Sequence, residues 1–114
     1  MDKLEINIGS LKLKNPVMTA SGTFGYGEEY MDFYDVQMLG GIIVKGTTGE
    51  HREGNPAVRM CETPIGMINA VGLQNPGVEK VVNEELPKLK KCFNKKVMAN
   101  VSGFAVDDYA YTCE

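Results

Sequence analysis

Three short apolar runs constrain the fold of this chain more than any other feature: Val17-Met18-Thr19-Ala20, Ile42-Ile43-Val44 and Val97-Met98-Ala99-Asn100-Val101. Each is too short for a helix, is rich in β-branched or compact apolar residues, and runs into a polar residue or glycine. Between and after them lie segments with helical character: Glu28 to Tyr34, Val78 to Cys92, and Val106 to Cys113. Strand, helix and strand in succession call for right-handed crossovers and a parallel sheet. Ser21, Lys45 and Asn100 fall at the C-terminal ends of the three strands, the end at which parallel α/β folds bind ligands. A (β/α)8 barrel and an open doubly wound sheet both satisfy this layout, and the residues alone leave both open.

The rest of the chain fits around that frame. Leu4, Ile6 and Ile8 alternate with polar residues, Gly9-Ser10 turns the chain, and Leu11 and Leu13 alternate again, which predicts a hairpin. Asn15-Pro16 breaks the pattern. Ser21 to Gly27 carries three glycines and is expected to be a loop whose backbone approaches a ligand closely. Acidic Glu28 and Glu29 suit the first turn of a short helix over Glu28 to Tyr34. Ile42-Ile43-Val44 reads as a strand buried on both faces that ends at Lys45. Pro87 interrupts the periodic Val78, Val81, Val82, Leu86 and Leu89, so two helical pieces or one kinked helix are expected there.

Gly46 to Gly77 lacks helical periodicity, and a long excursion of this kind is usually functional. Arg59 to Glu62 and Met67 to Ala70 read as short strands within it. The stretch Gly66-Met67-Ile68-Asn69-Ala70-Val71-Gly72-Leu73-Gln74-Asn75-Pro76-Gly77 mixes turn formers, uncharged amides and apolar groups. An ordinary surface loop explains the glycines and asparagines. A pocket wall explains the apolar residues as well, with Asn69, Gln74 and Asn75 offering donors and acceptors to a planar polar ligand. Lys45 has two roles open to it: a strand-end lysine reaching solvent, or a cation for an anionic ligand. Arg59 and Glu62 are expected to form an ion pair bracing the loop.

Composition narrows the partners. A net charge of −3 gives no electrostatic case for nucleic acid or an anionic membrane. No apolar run approaches the roughly 20 residues of a membrane span, and the N-terminus lacks a signal-peptide core. A cytoplasmic location is the resulting expectation. Cys61, Cys92 and Cys113 are widely spaced and form no Cys-x-x-Cys pair, as expected of reduced thiols. With His51 the only histidine, no metal site is expected.

Lys45-Gly46-Thr47-Thr48, Gly54-Asn55-Pro56, Arg59, Glu62-Thr63 and above all the run from Asn69 to Gly77 resemble the class 1 dihydroorotate dehydrogenases, in the bacterial NAD-linked (class 1B) catalytic-subunit form. The resemblance covers Leu11 to Gly103 and decides for the barrel. It implies an FMN enzyme of pyrimidine (UMP) synthesis that oxidises dihydroorotate to orotate. Substrate contacts are implied for Lys45, Asn69, Ala70, Val71, Gly72 and Leu73, and flavin contacts for Ser21, Lys45, Gly46 and Asn100. It further implies a homodimer of the full-length subunit, and a partner subunit carrying FAD and an iron–sulfur cluster that passes electrons to NAD. In the family the base for the C5 proton is a cysteine on a loop after the fourth strand. Cys61, Cys92 and Cys113 do not match that context, so no catalytic residue is expected up to Glu114. Gly49 and Ile65 depart from the usual pattern without touching a proposed contact.

A complete barrel needs roughly 250 residues, and this chain has 114. Residues 1–114 are therefore expected to form an incomplete FMN-binding barrel domain: about three of eight β/α units plus the N-terminal hairpin, inactive alone. Two other readings stay open. One is a fumarate-linked dihydroorotate dehydrogenase or another FMN-barrel dehydrogenase. The other is a non-catalytic truncated remnant or interaction module.

Overall fold

The structure is a computed structural model that describes residues 3–114; Met1 and Asp2, the start of the alternating N-terminus, lie outside the described residues. The predicted hairpin is present: β1 (Ile6–Ile8) pairs antiparallel with β2 (Leu11–Leu13), with Ile8 opposite Leu11 across the Gly9-Ser10 turn. Gly9 supplies the positive φ of 57° that this tight reversal requires.

The central sheet consists of β3 (Gly41–Thr47) and β6 (Lys96–Val101), paired in parallel with Gly41 opposite Lys96 and Thr47 opposite Val101. Ile42 and Val44 are 0% and 1% exposed, whereas Ile43 and Lys45 on the other face are half-buried. One face, rather than both, is thus fully covered. Lys45 also does not end the strand: pairing resumes at Gly46 and Thr47. The two residues Val44 and Lys45 stand opposite the single Ala99, a β-bulge.

The first predicted strand, Val17 to Ala20, is reduced to a single parallel bridge between Met18 and Gly41. The reason is Thr19. Its hydroxyl accepts from the Ile43 N–H at 2.9 Å and lies 3.2 Å from the Ile43 carbonyl, so a side chain replaces the backbone ladder. The Ser21–Gly27 loop opens with one helical turn, α1 (Ser21–Phe24), which Gly25 ends at φ 58°. The expected helix over Glu28 to Tyr34 shrinks to a 3-10 turn at Glu28–Tyr30. Its aromatic and aspartate residues are poor helix formers, and Tyr30 instead stacks on Phe24 at 4.7 Å and donates to the Thr23 carbonyl at 2.6 Å. A second 3-10 turn, Val36–Met38, is capped by the Asp35 carboxylate accepting from the Gln37 N–H.

In the long excursion the two short strands expected at Arg59 to Glu62 and Met67 to Ala70 are present as β4 (Met60–Thr63) and β5 (Gly66–Asn69), and they pair as an antiparallel hairpin. After it the chain coils through α2 (Val78–Lys80), a π-turn (Val81–Glu85) and α3 (Leu86–Cys92). Leu86 bonds back to the Val81 carbonyl, and Pro87 then sits in the first turn of α3, where its missing N–H costs little. The break predicted at Pro87 is thus absorbed by a wider turn just before it. The last helix, α4 (Val106–Cys113), follows β6.

One cluster anchors the fold: Phe24, Val36, Leu39, Ile42, Val44, Leu89 and Phe93. It packs the buried face of β3 against α1 and α3. Cys92 packs against this cluster as a half-buried thiol, while Cys61 and Cys113 are exposed; all three are free. No helix among the described residues is long and apolar enough to cross a membrane.

Candidate functional site

The C-terminal ends of β3 and β6 bring three predicted residues together. Gly46 lies directly opposite Asn100 in the parallel register. The Asn100 amide nitrogen donates to the Ser21 hydroxyl at 2.8 Å, so α1 is tied to the end of β6 by a single side-chain bond. A Cβ on Gly46 would stand 3.5 Å from that amide nitrogen and 3.4 Å from the Ser102 hydroxyl. Both are ordinary contact distances, so Gly46 lies against these two polar groups without crowding.

Lys45 precedes Gly46, on the bulge. Its own N–H donates to the Gly25 carbonyl at 2.9 Å, which fixes the glycine-rich loop against the strand. The bulge breaks the strict alternation of β3 at this residue, a change that periodicity in the sequence does not signal. Lys45 borders two clefts. One, of about 530 Å³, is shared with Gly22, Tyr26, Glu29 and Phe33. The other, of about 280 Å³, is shared with His51, Arg52, Gln74, Asn75 and Pro76. Tyr26 lines the first, and its hydroxyl lies 3.3 Å from that of Thr47. Burial pushes the Tyr26 phenol above its ordinary value, the Thr47 hydrogen bond opposes that, and the Glu85 carboxylate adds to it.

The Asn69–Leu73 segment is placed differently. Asn69 is exposed at the end of β5, opposite Met60. Beyond it the backbone is clamped by neighbours. The Ala70 N–H donates to the Arg59 carbonyl at 2.8 Å, and the Ala70 carbonyl accepts from the Asn55 side chain at 2.8 Å. The Val71 carbonyl accepts from the Asn55 N–H at 2.9 Å, and the Leu73 carbonyl from the Asn75 side chain at 3.3 Å. The N–H groups of Val71, Gly72 and Leu73 and the Asn69 side chain take no part in these bonds. None of Asn69 to Leu73 lines the clefts beside Lys45; the loop reaches them only through Gln74, Asn75 and Pro76.

Of the other two amides, Asn75 is buried and wholly structural. Its carbonyl oxygen accepts from the Thr48 N–H at 3.1 Å and the Gly77 N–H at 3.0 Å, and its nitrogen donates to the Thr48 hydroxyl at 3.0 Å. Gln74 is held by Arg59, whose guanidinium donates to it at 3.0 Å. The rest of that guanidinium goes to the carbonyls of Glu53 at 2.9 Å and Asn55 at 3.1 Å. Arg59 thus braces the loop as expected, but through carbonyls and Gln74 rather than through Glu62. Asn55 and Thr48, both within stretches the sequence singled out, turn out to be the residues that shape the loop.

A third cleft, of about 340 Å³, opens between the loop after β3 and α4, where the Arg52 guanidinium lies 4.4 Å above the Phe104 ring. Gly49 belongs to its wall. A Cβ there would come within 2.8 Å of the Tyr111 ring, which accounts for the small residue at this position. Among the described residues no group of His, Cys, Asp and Glu is placed to hold a metal ion.

The comparisons with known proteins bear on family and fold. The dihydroorotate dehydrogenase family model matches residues 3–114. A protein of Phocaeicola vulgatus named dihydroorotate dehydrogenase B (NAD(+)), catalytic subunit, is 60% identical over all of this chain, which covers 37% of that relative. The same-named protein of Enterococcus faecalis is 53% identical over 96% of this chain and 35% of its own length. The chain thus spans little more than a third of the curated relatives it matches. A crystal structure of DHODH in complex with ferulenol from Eimeria tenella superimposes with a TM-score of 0.66 at 25% identity, covering 92% of this chain and 31% of that one. The architecture is therefore the N-terminal part of a (β/α)8 barrel, mixed α/β and without closure. With its family model matched from Lys3 to Glu114, this chain belongs to the dihydroorotate dehydrogenase family.

Proposed function

We propose that this chain supplies flavin and substrate contacts to a dihydroorotate dehydrogenase catalytic subunit of the NAD-linked type, working in the cytoplasm in pyrimidine synthesis. The observation that carries the reading is the meeting of Ser21, Gly46 and Asn100 at the ends of β3 and β6, with Lys45 on the adjoining bulge. FMN, when bound, would supply the hydride acceptor for dihydroorotate. What supports such a group is an uncharged amide at Asn100 held by Ser21, the glycine backbone of Gly46 opposite it, and Lys45 bordering the two adjoining clefts.

Each side chain has a definable task. The Asn100 amide gives one N–H to Ser21 and keeps a second N–H donor and its carbonyl acceptor for a ring with both donors and acceptors. Lys45 offers the positive charge that a carboxylate substrate or an electron-rich ring requires. Asn69, with the N–H groups of Val71 to Leu73, would offer donors to the polar edge of orotate. None of the cysteines stands at this end: Cys61 is on β4, Cys92 on α3 and Cys113 on α4. The proton-abstracting base is accordingly assigned to none of them. The partner subunit with FAD and an iron–sulfur cluster, and the homodimer, belong to the same reading and rest on the relatives' name and the family resemblance.

The test is flavin retention. This chain alone is expected to bind FMN poorly or not at all, so the full-length catalytic subunit is mixed with FMN and desalted, and its visible absorbance is compared with that of its Asn100→Ala and Lys45→Ala variants. Flavin held by the wild type and lost from both variants supports the assignment. Retention unchanged in the variants would remove it. Dihydroorotate-dependent dye reduction is expected to be absent from the chain alone, and clear turnover would refute the assignment of the base elsewhere.

A further inference from the structure

Four lysines meet at the end of the sheet opposite Lys45. Lys12 of β2 and Lys14 just beyond it face Lys95 and Lys96 at the start of β6, around a cleft of about 390 Å³ completed by Gly40 and Asn94. Among the described residues no carboxylate lines this cleft, although the chain as a whole carries a net charge of −3. The local field is therefore opposite in sign to that of the whole molecule.

The site is built rather than incidental. The Lys95 ammonium is fixed by the carbonyls of Gln37 and Leu39, the latter at 2.9 Å. Gly40 keeps the floor as bare backbone, since a Cβ there would fall 2.0 Å from the Asn15 carbonyl oxygen. Lys12 is shared with Glu5 at 2.8 Å in an exposed pair, and Lys14 and Lys96 are exposed. With Lys12 shared with Glu5 and the Lys95 ammonium bonded to two carbonyls, Lys14 and Lys96 are the lysines of this cleft left to meet an anion, and a multivalent one gains most from the shared positive charge. An anion with several oxygens in a row matches donors arriving from two separate strands better than a compact single ion does.

We propose that this cleft binds a condensed phosphate chain, either a free polyphosphate or the di- or triphosphate tail of a nucleotide. It lies at the other end of the strands from Gly46 and Asn100, so it stands or falls independently of the proposed enzymatic role.

Calorimetric titration of the chain with sodium tripolyphosphate, ATP and sulfate tests the proposal. Tripolyphosphate is expected to bind more tightly than sulfate and to weaken as salt is raised. The double variant Lys14→Gln/Lys96→Gln should weaken it about tenfold, while Lys90→Gln/Lys91→Gln, a basic pair on α3 outside the cleft, should leave it unchanged. ATP binding as tightly as tripolyphosphate assigns a nucleotide tail as the ligand; exclusion of ATP assigns the free polyphosphate. No binding, or equal weakening by both double variants, overturns the proposal, because general surface charge would then account for everything seen.

Discussion

The two ends of the Gly66–Gly77 stretch behave as different materials. At its start, every residue of β5 is exposed, and with Met67 at 56% and Ile68 at 66% exposure the strand displays apolar side chains to solvent. At its end, Asn75 and Gly77 are buried in a knot with Thr48, and the N–H and C=O of Asn75 pair with those of Arg52 at 2.9 and 3.0 Å. The same mixture of amides, glycines and apolar residues thus serves two purposes. One end fixes the loop to the end of β3, and the other presents a surface. A similar division separates Ile42 and Val44, sealed under α3, from Met67 and Ile68 on the hairpin.

The largest expected effect that tests this contrast is at the glycines. Gly77 has φ 86° and ψ 158°, a conformation essentially reserved for glycine, and a Cβ there would lie 2.8 Å from the His51 nitrogen. Gly77→Ala should cost about 2–4 kcal/mol in denaturant unfolding. Gly66, whose Cβ would meet nothing within 4 Å, should tolerate alanine within about 0.5 kcal/mol. Equal losses at the two sites would abolish the distinction.

The asparagines sharpen it. Asn75→Ala strands the Thr48 and Gly77 N–H groups in a buried setting and should cost about 2–3 kcal/mol. Asn69→Ala should change stability by no more than about 0.5 kcal/mol, yet weaken orotate binding to the flavin-loaded protein about tenfold. A stability loss at Asn69 as large as that at Asn75 would mean that the hairpin is part of the scaffold. Asn55→Ala sits between the two, since it frees the Ala70 carbonyl in an exposed position; about 1 kcal/mol is expected from the same unfolding experiment.

What was legible in the sequence follows the same division. The N-terminal hairpin, β3, β6 and α4 were visible because period-two alternation and β-branching mark strands and a helical run marks α4, while β4 and β5 were read as short strands and not as a pair. Ser21, Lys45 and Asn100 were placed at strand ends by the same pattern and Gly46 came only from the resemblance, whereas β3 runs on through Thr47. The bulge at Lys45 was invisible, since one extra residue in β3 leaves composition untouched. So was the loss of the Val17–Ala20 strand, because Thr19 acts through its hydroxyl and not through the backbone. The amides were the hardest to sort. Asn69, Gln74 and Asn75 look alike in sequence, and only the positions of Arg59 and Thr48 decide that two of them are spent on the fold. The family resemblance named the residues of the site but could not show that Asn55 holds the loop that carries Asn69.

The smallest effect concerns α4, which is neither knot nor hairpin: exposed, yet with a fixed contact at its start. Ala105 precedes the helix and has no side-chain acceptor, so Asp108 reaches back and accepts from the Phe104 N–H at 2.8 Å and the Ala105 N–H at 3.0 Å. Those two bonds hold the Asp108 carboxyl below its ordinary value of 3.8. Because the folded value is the lower one, the stabilisation is complete above the ordinary carboxylate value and disappears as the pH falls through the lowered value. Asp108→Asn should therefore be slightly less stable than the wild type at neutral pH, with the two acid-unfolding curves converging at the acid end. Curves that coincide throughout would show that an exposed cap of this kind adds nothing, and that among polar contacts only those buried as deeply as Asn75 hold this chain together.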